Sequence, residues 1–467
     1  MSATSLGRVL AHGSHVPVQR LGADAGIRGR RVVASFDEDA TTMAVAAARA
    51  ALALAGPEAS AAVPAAYLVT ATPPYLDKTN ASALHAALRL PASAFAGDVV
   101  GSPRSVFAAL RAALATGGLV AAGDVRVGRP GSGDERTGAD YGAALLLAPP
   151  GATVTADEVV ADVLALGATT EELLDRWRLP SAPTAEVWEE RFGFERYAAL
   201  VRATAAEALR QAGIAAADHV VVTSPNAAVT KRARALLEGA RPTPLGHAGA
   251  TDPLLAVAAA LDVATPGETV LVVSAADGCD AVVLRAGPAL ARRRPSAVAA
   301  QAEGGTEVRH TTYLAWRGLL ERELPRRPEP DRPAAPASAR AVAWKFGFVG
   351  AACTVCGFVH LPPVRVCRSC GATDAMAPVD AADLRGTVAT STVDRLAYSP
   401  SPPVVDVVVD LDGGGRCTLE VADADPATVG VGSRVDLVFR RLSTAGGVHN
   451  YFWKARVLPA APTEEDA

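Results

Sequence analysis

The sequence predicts an α/β core followed by a small all-β barrel, with a cysteine-rich segment between them. Three observations carry that prediction. From Val9 to about Leu284, short β-branched runs alternate with Ala- and Leu-rich stretches, the texture of strands covered on both faces by helices. Four of the six cysteines crowd into Cys353–Cys370. Beyond Gly386, five β-rich runs are broken by Pro, Gly and Asp, a spacing that suits a closed barrel. A chain of 467 residues, 50% of them hydrophobic, supplies apolar surface for several domains of roughly 100–200 residues each.

In chain order, residues 1–324 form the α/β core, its halves meeting near 161–200. Ala66–Thr70, Val220–Val222 and Val270–Ser274 read as buried strands, and Thr41–Ala55, Ala83–Leu90, Val106–Ala115 and Ala205–Ala212 as helices. Asp37-Glu38-Asp39-Ala40-Thr41-Thr42 sets three carboxylates and hydroxyl caps before the first helix, which suits the positive end of its dipole. Asp175, Glu189 and Glu190 read as a solvated helix face. Residues 325–343 form a linker; Pro325–Pro336 holds five prolines, too many for a helix or central strand, so an extended strap is expected. Residues 344–377 carry the cysteines and 378–458 the barrel, with strands at Gly386–Tyr398, Val404–Leu411, Arg416–Val421, Arg434–Leu442 and Val448–Val457. The polar, acidic tail 459–467 is expected to be disordered.

Composition narrows the function. Lys plus Arg number 45 against 49 Asp plus Glu, a net charge of −4, so a polyanion partner is disfavoured. From Lys345 onward the count is 11 against 14, which leaves the barrel without the positive groove that nucleic acid requires. No stretch approaches the roughly 20 apolar residues of a membrane helix. Met1–Gln19 lacks a basic segment followed by an apolar run, so a cytoplasmic protein is expected.

Cys353-Thr-Val-Cys356 and Cys367-Arg-Ser-Cys370 are two C-x-x-C knuckles, each followed by a glycine, Gly357 or Gly371. Four thiolates at this spacing suit one tetrahedral Zn²⁺, with glycines permitting the turn beneath each pair. A filled ligand set leaves no position for water or substrate, so this zinc ribbon would be structural. Two disulfides or a redox pair are the alternatives, and His360 could replace one cysteine. Cys279 and Cys417 sit in apolar contexts and read as buried fillers.

Further motifs carry a family resemblance. Arg31–Arg49, Thr72-Pro-Pro-Tyr-Leu-Asp-Lys78, Asp175-Arg-Trp-Arg178, Trp188-Glu-Glu-Arg-Phe192 and Ser274-Ala-Ala-Asp-Gly278 resemble, in order, the hydroxymethylglutaryl-CoA synthase branch of the thiolase superfamily, which includes ketoacyl synthase III. The resemblance implies a duplicated α-β-α-β-α fold, a homodimer and acyl-CoA as substrate or ligand. Trp344-Lys-Phe-Gly347, the knuckles, His360-Leu-Pro-Pro363, Asp412-Gly-Gly-Gly415 and Gly447-Val-His-Asn-Tyr-Phe-Trp-Lys454 resemble the family called domain of unknown function 35. That family joins a rubredoxin-like zinc ribbon to an OB-fold barrel and accompanies thiolases, which implies acyl-CoA contact or a thiolase-type partner protein.

In the resembled enzymes a cysteine at a strand-to-helix turn takes the acyl group. Register from Ala108-Ala-Leu110 puts Pro103 at that position, and proline cannot be acylated. The family's histidine corresponds to Thr223 and its asparagine to His247. Remaining candidates are Ser102 or Ser105 as nucleophile with His247 as base, His247 as base for a non-covalent condensation or aldol-type step, or His247 as a structural residue. Gly101 and Arg104 lie at a helix N-terminus suited to a thioester oxygen, although Arg104 could instead pair with Asp98. Gly278 and Lys454 complete the candidate substrate contacts. Three functions follow: an acyl-CoA acyltransferase or condensing enzyme without a cysteine acyl-enzyme, a non-catalytic scaffold feeding a thiolase, and, least favoured, a nucleic-acid-binding zinc-ribbon protein.

Overall fold

In the computed structural model, residues 5–323 and 325–459 are described; the tail from 460 on lies outside them. The chain divides into two compact units. The first takes the chain to Ala34, Asp39–His85 and Leu90–Tyr313, and the second gathers Ser35–Glu38, Ala86–Arg89 and the chain from Leu314.

In the first unit, β1 (Gly7–His15), β2 (Ala65–Thr70), β3 (Phe95–Val100), β4 (Gly118–Asp124), β5 (Tyr141–Ala148), β6 (Ala161–Thr170), β7 (His219–Thr223), β8 (Thr269–Ala275) and β9 (Gly278–Ala286) share one sheet, ordered β7-β8-β9-β6-β1-β5-β4-β2-β3. The order contains a repeat. Outward from β1 come antiparallel β5, antiparallel β4 and parallel β2; outward from β6 come antiparallel β9, antiparallel β8 and parallel β7. The repeats join where Gly7–Val9 pairs with Ala161–Val163. Only the first repeat carries a fifth strand, β3, among the described residues.

Four helices cover these strands: α1 (Ala40–Ala55), α2 (Arg104–Thr116), α3 (Glu190–Ala212) and α4 (Asp252–Val263). α1 packs on β1, β4 and β5, and α3 on β6, β8 and β9. α2 and α4 share one apolar cluster with Val9 and Val120 of the first repeat and Val272 and Val282 of the second, so they form the layer between. This is the duplicated α-β-α-β-α core.

Two helices differ from expectation. α3 begins fifteen residues earlier than the apolar pattern suggests, because its buried stripe of Gly193, Tyr197, Val201, Thr204 and Ala208 is too small and polar to register as hydrophobic periodicity. The helix expected at Ala83–Leu90 spans Ala81–Ala87 and gives way before Arg89, which takes a positive φ of 53°.

The second unit holds β10 (Val349–Cys353), β11 (Val359–His360) and β12 (Met376–Asp380) as a ribbon, ordered β11-β10-β12. β13 (Gly386–Asp394), β14 (Val404–Leu411), β15 (Arg416–Glu420), β16 (Arg434–Ala445) and β17 (Val448–Val457) follow in the order β15-β14-β13-β16-β17. A bridge from Val421 to Ala455 brings the outer strands together into the OB-fold barrel. The proline-rich strap is not wholly extended: Ala335–Arg340 and Val342–Lys345 are short helices. Pro336 falls in the first turn of the former, where a missing N–H costs nothing. Trp453 is fully buried, donates from Nε1 to the Phe346 carbonyl at 2.7 Å and packs beside Phe348 and Phe439, so this aromatic fills the barrel.

No helix among the described residues is long and apolar enough to cross a membrane.

Candidate functional site

The turn into α2 sits at the carboxyl end of the strands, where open α/β sheets bind ligands. Gly101 N–H donates to the Thr70 carbonyl at 3.1 Å, and Pro103 occupies the cap position of α2 with its ring buried. Arg104 does not meet Asp98. Its Nε lies 2.9 Å from Asp280 Oδ2, while Nη1 donates to the Asp277 carbonyl at 2.6 Å and Nη2 to Thr170 Oγ1 at 3.0 Å. Asp98 instead accepts from the backbone N–H groups of Asn80 and Ala81 and from Asn80 Nδ2. Gly278 makes room for this closure: at φ 113°, an added Cβ would fall 2.2 Å from the Thr169 carbonyl oxygen and 2.9 Å from Arg104 Nη1.

Thr223 ends β7 beside Ser274, which lies opposite Asp280. The Thr223 and Ser274 hydroxyls are buried without hydrogen-bond partners among the described residues. Asp280 is 3% exposed, and burial pushes its carboxyl up, against the pull of Arg104.

Among the candidate catalytic residues, His247 has a carboxylate partner. Its Nδ1 lies 3.0 Å from Asp252 Oδ2, and Asp252 is 1% exposed. Asp252 Oδ1 accepts from Tyr141 OH at 2.5 Å and from Thr243 Oγ1 at 3.2 Å. Burial, together with the Asp252 charge, raises the Tyr141 phenol well above its ordinary range, so it remains a donor. A carboxylate held by two hydroxyl donors fixes the imidazole proton on Nδ1 and presents Nε2 as the basic nitrogen. Nε2 makes no hydrogen bond among the described residues, and the side chain keeps 13% of its surface exposed. The main chain is held as well: His247 N–H donates to the Thr137 carbonyl at 3.1 Å and its carbonyl accepts from Ala139 at 3.1 Å.

No hydrogen bond joins His247 to Ser102 or Ser105 among the described residues. Asp252 and Tyr141 are the residues that sequence reasoning missed. The only local signal is an aspartate five positions after the histidine, at the start of a helix. Asp175 also departs from expectation: it lies outside α3, is 7% exposed and accepts from Tyr197 OH at 3.1 Å. Glu189 and Glu190 are exposed, as read. Between Leu174 and Phe192 the surface carries exposed Leu174, Trp177, Leu179, Trp188 and Phe192, an apolar set of the kind that meets a ligand or partner.

The four knuckle cysteines converge. Cys353 and Cys370 sulfurs are 3.7 Å apart, Cys356 and Cys367 3.6 Å, and all four lie within 4.8 Å of one another. A tetrahedral zinc with sulfurs at about 2.3 Å has sulfur edges of about 3.8 Å, so the set fits one ion. Gly357 and Gly371 both take φ 76° beneath their knuckles, a conformation that favours glycine. His360 stands outside the four-thiol set. Lys454 is 1% exposed and lies 2.9 Å from both Asp37 and Glu420, which closes it to the substrate contact expected from sequence.

Residues 378–440 match the family described as ChsH2, C-terminal OB-fold domain. The hydroxymethylglutaryl-CoA synthase of Pyrobaculum aerophilum is 31% identical over 277 residues, which cover 55% of this chain and 75% of that protein. A DUF35 domain-containing scaffold protein of Methanocaldococcus jannaschii is 29% identical over 119 residues, covering 24% of this chain and 84% of that one. Among solved structures, an HMG-CoA synthase complexed with CoA aligns with a TM-score of 0.56 at 14% identity, over 70% of this chain and 95% of that one.

Proposed function

Since the chain belongs to the hydroxymethylglutaryl-CoA synthase family, we propose that it binds acyl-CoA thioesters and makes or breaks a carbon–carbon bond beside the thioester carbonyl without a covalent acyl-enzyme. The observation that carries this reading is the Asp252–His247 pair. An oriented imidazole can move a proton to or from a carbon or hydroxyl next to a thioester, and such proton transfer needs no cysteine. Asp252 is a positioning residue in this scheme. The α2 N-terminus supplies partial positive charge for the thioester oxygen, while Arg104 holds the turn closed through Asp280. The four cysteines hold a structural zinc.

Following acyl-CoA substrates and products by mass spectrometry, together with free CoA, during incubation with acetyl-, acetoacetyl- and longer acyl-CoA, alone and with a thiolase, tests the reading; no turnover across that panel overturns it. His247→Ala is expected to lower kcat by roughly a hundredfold or more. Asp252→Asn should lower kcat and alter the pH profile with KM little changed.

A second reading, a scaffold that docks a thiolase-type partner and passes it substrate, is favoured by the likeness of the C-terminal segment to a scaffold protein. It predicts stable co-purification with such a partner and no turnover by the chain alone.

A further inference from the structure

Of the three carboxylates that the sequence assigns to capping α1, only Asp39 does so: its Oδ1 accepts from Thr42 N–H at 3.0 Å, and Thr42 Oγ1 accepts from Asp39 N–H at 2.9 Å. Asp37 and Glu38 belong, with Ser35 and Phe36, to the C-terminal unit, and they lie against β16 and β17. Lys454 Nζ is 2.9 Å from Asp37 Oδ2 and equally far from Glu420. Arg440 pairs with Glu38, and its Nη2 donates to Asp423 at 2.6 Å. The backbone is held too: Arg441 N–H donates to the Asp37 carbonyl at 2.9 Å, and Arg441 Nη2 to the Phe36 carbonyl at 2.7 Å. The Phe36 ring centroid is 5.1 Å from Lys454 Nζ and 5.9 Å from that of Trp316.

Asp37, Glu38, Arg440 and Lys454 are each at most 3% exposed. Burying so many charges is unfavourable unless every one is paired in good geometry, and a helix cap already satisfied by Asp39 has no need of it. Phe439 faces Trp453 and Arg440 faces Phe452 across the β16–β17 ladder, which makes Arg440 and Lys454 diagonal neighbours on one face. Glu420 and Asp423 of the barrel already pair with these cations, and the acidic segment adds a second carboxylate to each. A strand that reads a main-chain carbonyl, two cations that read adjacent carboxylates and an ammonium over an aromatic ring together make a peptide-binding surface.

We propose that this face of the barrel is a recognition site for a short acidic segment led by an aromatic residue, and that in this chain it is filled by Phe36-Asp37-Glu38. The strand that sequence reading offers to acyl-CoA thereby has a peptide as its ligand. The test uses the full chain with Phe36→Ala, Asp37→Ala and Glu38→Ala combined, and a fluorescein-labelled peptide of residues 33–41 followed by anisotropy. The variant is expected to bind the peptide saturably and the wild type not to bind it. Replacing the peptide's acidic residues by their amides should weaken binding at least tenfold. Absence of saturable binding to the folded variant, equal binding of the amide peptide, or displacement of the peptide by an equal concentration of coenzyme A would each overturn the proposal. Should the triple variant not fold, Asp37→Asn carries the test by hydrogen exchange. At least tenfold faster exchange across Ser35–Glu38 is expected there, and unchanged protection overturns the proposal.

Discussion

Cys279 and Cys417 are thiols outside the metal-type cluster, and burial pushes each up to about 12. The thiolate is the reactive form, so both stay protonated at neutral pH and gain reactivity only as pH climbs toward 12. Native protein treated with iodoacetamide at about pH 8 should therefore show neither residue modified by peptide mass mapping, and denatured protein both. Rapid native modification of Cys279 would mean that β9 opens readily. The same dependence on surroundings explains what was legible at His247. Its place in a Gly-rich turn is plain from the sequence, but the carboxylate of Asp252 that partners it is also held by Tyr141, more than a hundred residues away, as well as by nearby Thr243.

At the scale of an element, the segment leading into α1 separates local from long-range chemistry. Asp39→Ala removes a cap and should cost about 1 kcal/mol. Asp37→Ala leaves buried Lys454 with Glu420 alone and should cost more, about 3 kcal/mol; denaturant unfolding of the two variants checks the order. The reverse order would show that the Lys454 pairing is loose. The sequence reading treats these carboxylates alike because helix capping is a local pattern, whereas a cation brought from more than four hundred residues away leaves no local trace. The ribbon gives the opposite case. Its ligands lie within eighteen residues and close on one point, so one zinc per chain is expected by metal analysis. Strong chelation should release four reactive thiols and make residues 344–380 protease-sensitive, because metal binding in such a segment is folding energy.

At the scale of the whole molecule, the repeated strand order, the position of α2 between the repeats and the proline at its cap bear on the chemistry together. Intact-mass measurement after incubation with acetyl-CoA should show no covalent acetyl adduct, since Pro103 offers no nucleophile; an adduct on Ser102 or Ser105 would restore the serine reading. The α/β alternation and the knuckles were legible in the sequence alone, because each is written in short-range periodicity or in the spacing of one residue type; the duplicated core and the proline at the cysteine position were legible only as what the family resemblance implies. Tertiary structure alone decided that Arg104 closes on Asp280 instead of Asp98, that Asp252 holds His247, and that Asp37 and Glu38 serve Lys454 and Arg440. Those outcomes depend on which charges are buried together, and a buried charge takes the partner that the fold brings within about 3 Å.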